Sequence, residues 1–179
     1  MKIIFWNINQ REKERISPEL EKANFLRELI RINSPDILFL AECSSDLMKK
    51  ISQNFSMIFP SIQKESKIWG FQIKNDCQIN LVDDNNERVV LYKVSSKVGH
   101  FLLVTLHLLD KRNYDDGGRL LFAQRVADKI NRWETEWNHS NGTVLIGDFN
   151  MNPFDFDIQI KNNDVSDHYP IMLTLEEKQ

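Results

Sequence analysis

Five short apolar runs, each closed at one end by side chains that can bind metal or phosphate, constrain this chain more than any other feature. Lys2-Ile3-Ile4-Phe5-Trp6 runs into Asn7-Ile8-Asn9. Asp36 through Ala41 runs into Glu42, Phe101 through Leu106 into His107, and Thr143 through Gly147 into Asp148-Phe149-Asn150. In the fifth run the order is reversed, because Ser166-Asp167-His168-Tyr169-Pro170 precedes Ile171-Met172-Leu173. β-branched, nearly continuous apolar runs suit strands buried on both faces. A core strand gains nothing from ending in Asn, Glu, His or Asp-x-Asn. The repetition predicts strand ends that converge on one cleft, with the last strand opposed to its predecessors.

Helical segments lie between these runs. Ser17-Pro18 is a good helix start, and Leu20, Ala23, Phe25, Leu26, Leu29 and Ile30 follow at helical spacing until Ser34-Pro35 ends the pattern. After Glu42, Ser44 or Ser45 can cap a short helix carrying Leu47, Met48, Ile51 and Phe55. A third helix is predicted from about Arg119 to Trp137 by the ladder Phe122, Val126, Ile130, Trp133, Trp137, with Gly117-Gly118 as the loop before it and Asn141-Gly142 as the turn after. The stretch from Met57 to Val98 reads as strands joined by polar turns, one of them at Asp83-Asp84-Asn85-Asn86. Two β-rich sheets flanked by helices fit this order.

The length, 179 residues, suits a single domain over 1–179, and 41% hydrophobic with 27% charged residues is an ordinary globular composition. No apolar run approaches the length a membrane helix needs, and the N-terminus lacks a signal-peptide cleavage pattern, so cytoplasmic residence and no membrane partner are expected. Cys43 and Cys77 are too few for a disulfide framework and read as reduced thiols. A net charge of −3 argues against a broad, sequence-independent DNA-binding face but leaves room for a local basic rim around an acidic site.

The polar ends carry the chemistry. Asp148 and Asn150 are spaced so that both side chains fall on one face of an extended segment, and Asn7 and Asn9 repeat the spacing. Glu42 adds a hard oxygen. Such donors, with no cysteine partner, suit Mg²⁺ or Mn²⁺ rather than zinc. His107 and His168 are then placed to hold a phosphoryl oxygen or move a proton. Together these residues describe metal-assisted phosphoester hydrolysis.

The same residues resemble a family. Phe5-Trp6-Asn7-Ile8-Asn9, Pro35 through Glu42, Thr105-Leu106-His107, Gly147-Asp148-Phe149-Asn150-Met151-Asn152-Pro153 and Ser166 through Pro170 are similar, in order, to the motifs of the endonuclease/exonuclease/phosphatase superfamily, the DNase I-like fold. The resemblance implies an α/β fold, a four-layer α-β-β-α sandwich of two mixed β-sheets flanked by helices. It implies that Glu42 binds the metal, that Asn7 helps place metal and phosphate, and that Asp167 neighbours the metal. It further implies that Asp148 orients or deprotonates the attacking water, that Asn150 contacts the phosphate and that His168 contacts the scissile phosphate. His107 matches a position near the leaving group. The implied activity is metal-dependent phosphodiester hydrolysis, with DNA or RNA as the expected substrate. Phosphatases of lipid or small-molecule phosphates, and a non-catalytic binding module of the same fold, are the alternatives.

The chain departs from the family's pattern in one place. Asp167 follows Asn150 by only seventeen positions, where further strands and an Asp that orients the final His are usual. A missing or shortened segment near 153–158 is therefore expected, as a chain break between Pro153 and Ile158. Asp155, Asp157 and Asp164 are the substitutes for the orienting carboxylate. The remaining polar residues read as ordinary surface. His100 and His139 sit in turn-like contexts, and Lys111, Arg112 and Arg119, which follow His107, read as a solvated charge run, with contact to substrate phosphates as the alternative. Trp6 is expected to point away from the site by strand alternation.

Overall fold

The structure is a computed structural model that describes residues 1–8, 16–59, 68–86, 88–137, 142–150 and 171–176, with the side chains of 16–20, 57, 59 and 84–86 left aside. Nine strands and three helices follow one another in these residues: β1 (Lys2–Asn7), α1 (Ile16–Asn33), β2 (Ile37–Ala41), α2 (Ser45–Ser52), β3 (Ser56–Phe59), β4 (Ile68–Gln72), β5 (Gln78–Asn86), β6 (Val89–Ser96), β7 (Gly99–His107), α3 (Asp116–Glu136), β8 (Thr143–Asp148) and β9 (Ile171–Thr174). They form two mixed sheets, ordered β3-β4-β2-β1-β9 and β5-β6-β7-β8. β1 and β2 are parallel, as are β7 and β8, and the other pairs are antiparallel.

The two-residue strand period sorts the side chains into layers. Ile3 and Phe5 of β1, Ile37, Phe39 and Ala41 of β2, Val90, Tyr92 and Val94 of β6, Phe101 and Leu103 of β7 and Ile146 of β8 form one core between the sheets. The opposite face of β1 and β2 presents Ile4, Trp6, Leu38 and Leu40 to Ala23 and Leu26 of α1 and to Leu47, Met48 and Ile51 of α2. The outer face of the second sheet packs Val104 and Leu106 on Val126 of α3, with Phe122, Ile130 and Trp133 beside it. The result is the expected α-β-β-α layering. Trp6 is fully buried on the helix side against Phe25, ring centroids 5.1 Å apart, and so points away from the face that carries Asn7.

Three local expectations differ from what forms. β5 continues through Asp83-Asp84-Asn85-Asn86, where the sequence reads as a turn, and its pairing with β6 shifts register twice over that stretch. Bulges absorb the extra residues, and Lys129 of α3 places its Nζ 2.9 Å from the buried Asp83 carboxylate, so the charge is compensated inside the fold. α3 begins at Asp116 rather than Arg119, because Asp115 caps it by accepting from the Gly118 N–H at 2.7 Å, which draws both glycines into the first turn. β8 and β9 are not buried on both faces. Leu145, Ile171 and Met172 are exposed, as befits strands at sheet edges among the described residues. α2 forms where expected, with Ser44 as its cap accepting from Leu47 N–H at 3.2 Å.

Candidate active site

Parallel pairing places the ends of β1 and β2 side by side, and likewise those of β7 and β8. Asn7 stands opposite Ala41, the residue before Glu42, and His107 stands opposite Asp148. β9 enters the first sheet from the same end, since Ile171 pairs with Phe5 and Thr174 with Lys2. The last strand therefore runs opposite to its neighbour, as the fifth run predicts. Gly147 lets the second pair close. Any Cβ there would clash with the backbone of Leu106, so the strand approaches β7 just before Asp148 only because the residue is glycine.

Asn7 bridges the sheets by donating from Nδ2 to Asp148 Oδ2 at 2.8 Å. The other carboxylate oxygen, Oδ1, accepts from the Asn150 backbone N–H at 2.9 Å. His107 is buried, with Nε2 3.2 Å from Glu42 Oε1 and 4.0 Å from Asp148 Oδ2. Two carboxylates thus flank one imidazole nitrogen, while His107 Nδ1 has no hydrogen-bond partner among the described residues. Thr105, two residues back on β7, is fully buried and its hydroxyl is also without a hydrogen-bond partner among them. Buried polar groups left in this condition are rare in a finished core. Glu42 and Asn150 both have positive φ, 49° and 47°, in the left-handed region that side-chain-bearing residues seldom adopt. Such conformations gather at sites where geometry serves chemistry.

Asn150 is held by its side chain as well. Its Nδ2 donates to the Leu108 carbonyl at 2.6 Å, and the Leu108 N–H donates in turn to the Asp148 carbonyl at 2.8 Å. Arg119, which the sequence places in a solvated charge run, is instead 8% exposed and reaches the same loop. The clue was available in sequence, since Arg119 extends the apolar ladder of α3 one step before Phe122. Lys111 and Arg112 are exposed, as read, and so is His100, whose Nδ1 lies 2.9 Å from Ser95 Oγ. Asn9, Asp155, Asp157, His139, Asp164, Asp167, His168 and the expected break between Pro153 and Ile158 lie outside the described residues.

The donor set can be tested against the expected ion. Among the described residues no three carboxylate, imidazole or thiol groups are arranged to hold a metal. Glu42 and the amide oxygen of Asn7 are hard oxygen donors. One carboxylate supplemented by water and substrate oxygen is a combination that Mg²⁺ accepts, and Mn²⁺ tolerates the same donors. The residues present therefore fit such an ion and do not suit zinc.

No protein-family model matches the chain, and no curated protein does. Solved structures do. The chain is similar to D. rerio TDP2 complexed with single strand DNA product, at TM-score 0.61 and 17% identity over 84% of this chain and 61% of that one. It is also similar to the human Nocturnin catalytic domain with bound sulfate anion, at 0.57 and 17% over 86% and 66%. A mannosyl-6-phosphatase of Bacteroides thetaiotaomicron matches at 0.61 and 15% over 84% and 65%. These structures belong to the endonuclease/exonuclease/phosphatase superfamily, and the chain has their DNase I-like fold. It spans about three fifths to two thirds of the length of these three structures.

Proposed function

We propose that this chain is a divalent-metal-dependent phosphoesterase that hydrolyses phosphodiester bonds, acting on nucleic acid. The observation that supports it most is the meeting of Asn7, Glu42, His107, Asp148 and Asn150 from both sheets at one end of the sandwich, with Asp148 oriented by two hydrogen bonds. Asp148 is the acceptor for the proton of an attacking water, since its carboxylate is fixed and lies 4.0 Å from an imidazole. Asn150, whose Nδ2 spends one N–H on Leu108, has the second to offer a phosphate oxygen. His107 stands where it can stabilise or protonate a leaving oxygen. Glu42 and Asn7 would hold Mg²⁺ or Mn²⁺, with Asp167 beside them, and His168 would contact the scissile phosphate, both on the motif resemblance. The chemistry such an ion supplies is polarisation of a phosphoryl oxygen and neutralisation of charge that develops on it.

D. rerio TDP2 with single strand DNA product, and the Neisseria 3′ phosphatase NExo bound to a product DNA hairpin, support a nucleic-acid substrate. The mannosyl-6-phosphatase, as similar by TM-score as that TDP2, keeps a small phosphomonoester as the second reading. No helix among the described residues is long and apolar enough to cross a membrane. We place the protein in the cytoplasm, where thiols outside disulfides such as Cys43 and Cys77 persist, and we read 1–179 as one domain. The deciding experiment incubates the purified chain with Mg²⁺ or Mn²⁺ and a panel of DNA, RNA, sugar phosphates and lipid phosphates. Metal-dependent turnover of oligonucleotides, abolished by a chelator, is the expected result. Turnover of small phosphomonoesters alone would select the second reading, and none on any substrate would select a binding module.

A further inference from the structure

We infer that Arg119 is a positioning residue for Asn150, and through Asn150 for the Asp148 carboxylate. The inference rests on the reading above but concerns a residue to which neither the motifs nor the family resemblance gives a role. A guanidinium on the first turn of a helix is normally solvated. This one is buried, and a buried cation must be hydrogen-bonded to remain in place. Each of its three nitrogens donates a hydrogen bond. Nε donates to the Leu109 carbonyl at 3.1 Å, Nη2 to the Asn150 carbonyl at 2.8 Å and Nη1 to Asp116 Oδ1 at 3.0 Å. Asp116 is 93% exposed, so solvent screens that pair, and the structural content lies in the two carbonyls.

Those carbonyls belong to different loops. Leu109 follows His107 at the end of β7, and Asn150 follows Asp148 at the end of β8. The planar fork therefore ties the two segments that carry the proposed acid–base groups. Residue 150 lies at φ 47°, a left-handed conformation that asparagine tolerates, and here its backbone and side chain are fixed from three directions. Three bonds hold it: its N–H to Asp148, its Nδ2 to Leu108 and its carbonyl to Arg119. Without the fork, the carbonyl of residue 150 loses its charged donor and the turn relaxes. The N–H then leaves Asp148 Oδ1, and the carboxylate loses one of the contacts that aim it. A lysine cannot replace the fork, since one ammonium point cannot span both carbonyls in the same plane.

The test uses Arg119→Ala and Arg119→Lys in the whole chain. Amide exchange at Asn150, measured by NMR against Val104 and Phe39 in the sheets, should quicken by about tenfold or more in both variants while the sheet amides keep their protection. Unchanged exchange at Asn150 overturns the inference. On a phosphodiester substrate kcat should fall by about tenfold to a hundredfold with KM nearly unaltered, and free guanidinium should partly restore kcat to Arg119→Ala. A loss confined to KM would mark Arg119 as a substrate contact and also overturn the inference. If Arg119→Ala fails to fold, Arg119→Lys carries the exchange measurement. If the unmodified chain hydrolyses nothing, the phosphoesterase reading fails by itself, and exchange at Asn150 still decides the role of Arg119.

Discussion

The same strands carry a polar cluster at each end, and the two clusters are built differently. At the starting end, Asp36 is buried and fully occupied. Its Oδ2 accepts the Lys2 N–H at 2.6 Å, Oδ1 lies 3.5 Å from Lys74 Nζ, and its backbone carbonyl accepts from Ile73 at 2.9 Å. The N-terminal ammonium donates beside it to the Leu175 carbonyl at 2.8 Å. Each carboxylate oxygen there meets a donor, and the left-handed residue beside it, Ser34 at φ 45°, has its carbonyl held by Lys74 Nζ at 2.5 Å. At the finishing end, two carboxylates crowd one imidazole, two buried polar atoms lack partners among the described residues, and two residues sit in the left-handed region. Burial of polar groups is common to both ends. Left-handed backbone occurs at both as well. Spare hydrogen-bonding capacity and the crowding of two carboxylates on one imidazole therefore distinguish the second, and they are the features a substrate and an ion would use.

The largest effect that separates the ends is expected from Asp148→Ala. Turnover should fall at least about a hundredfold, the scale of a general base, while the circular dichroism spectrum keeps its native form. A rate like that of the unmodified chain would remove Asp148 from the mechanism. Glu42→Gln should act through the ion instead. It removes a negative ligand, so the Mn²⁺ concentration for half-maximal activity should rise by about tenfold, with turnover partly recovered in excess metal. Identical metal titrations in the two proteins would deny Glu42 that place.

Asp36→Asn should show the reverse pattern, costing about 1.5–3 kcal/mol in urea unfolding through its charged hydrogen bonds and leaving turnover within error. A lost rate at preserved stability would mean that the starting end is functional too. The smallest expected difference lies between the thiols. Burial, aided by the nearby Asp36 and Asp76 carboxylates, pushes the Cys77 thiol up from its ordinary range. A raised pKa on an acid penalises the thiolate in the folded state. Cys77 therefore leaves stability untouched below the ordinary thiol range and subtracts from it as pH climbs through that range. Cys43, half-buried after Glu42, should react with a maleimide before Cys77 does in native protein. Modification of Cys77 first would show that the starting end opens more readily than its contacts suggest.

The residue pattern alone determined much of this protein. Short, β-branched, nearly continuous apolar runs suit strands buried on both faces, where pairing with neighbours satisfies their backbone. Their polar ends could be read from local order, since parallel strands put like ends together. Helix ladders such as Phe122, Val126, Ile130 and Trp133 were legible for the same reason. Tertiary structure decided what depends on partners distant in sequence. Asp83-Asp84-Asn85-Asn86 has turn residues throughout, yet it stays in a strand because α3 brings Lys129 to Asp83 across the fold. Asp115, not Gly117-Gly118, sets the start of α3. Arg119 looks like surface charge until the loops after β7 and β8 close over it with two carbonyls. Local propensity fixes where a strand can form and which face is apolar. Which buried charge finds a partner, and which carboxylate is left to do chemistry, depends on contacts that no neighbouring residue encodes.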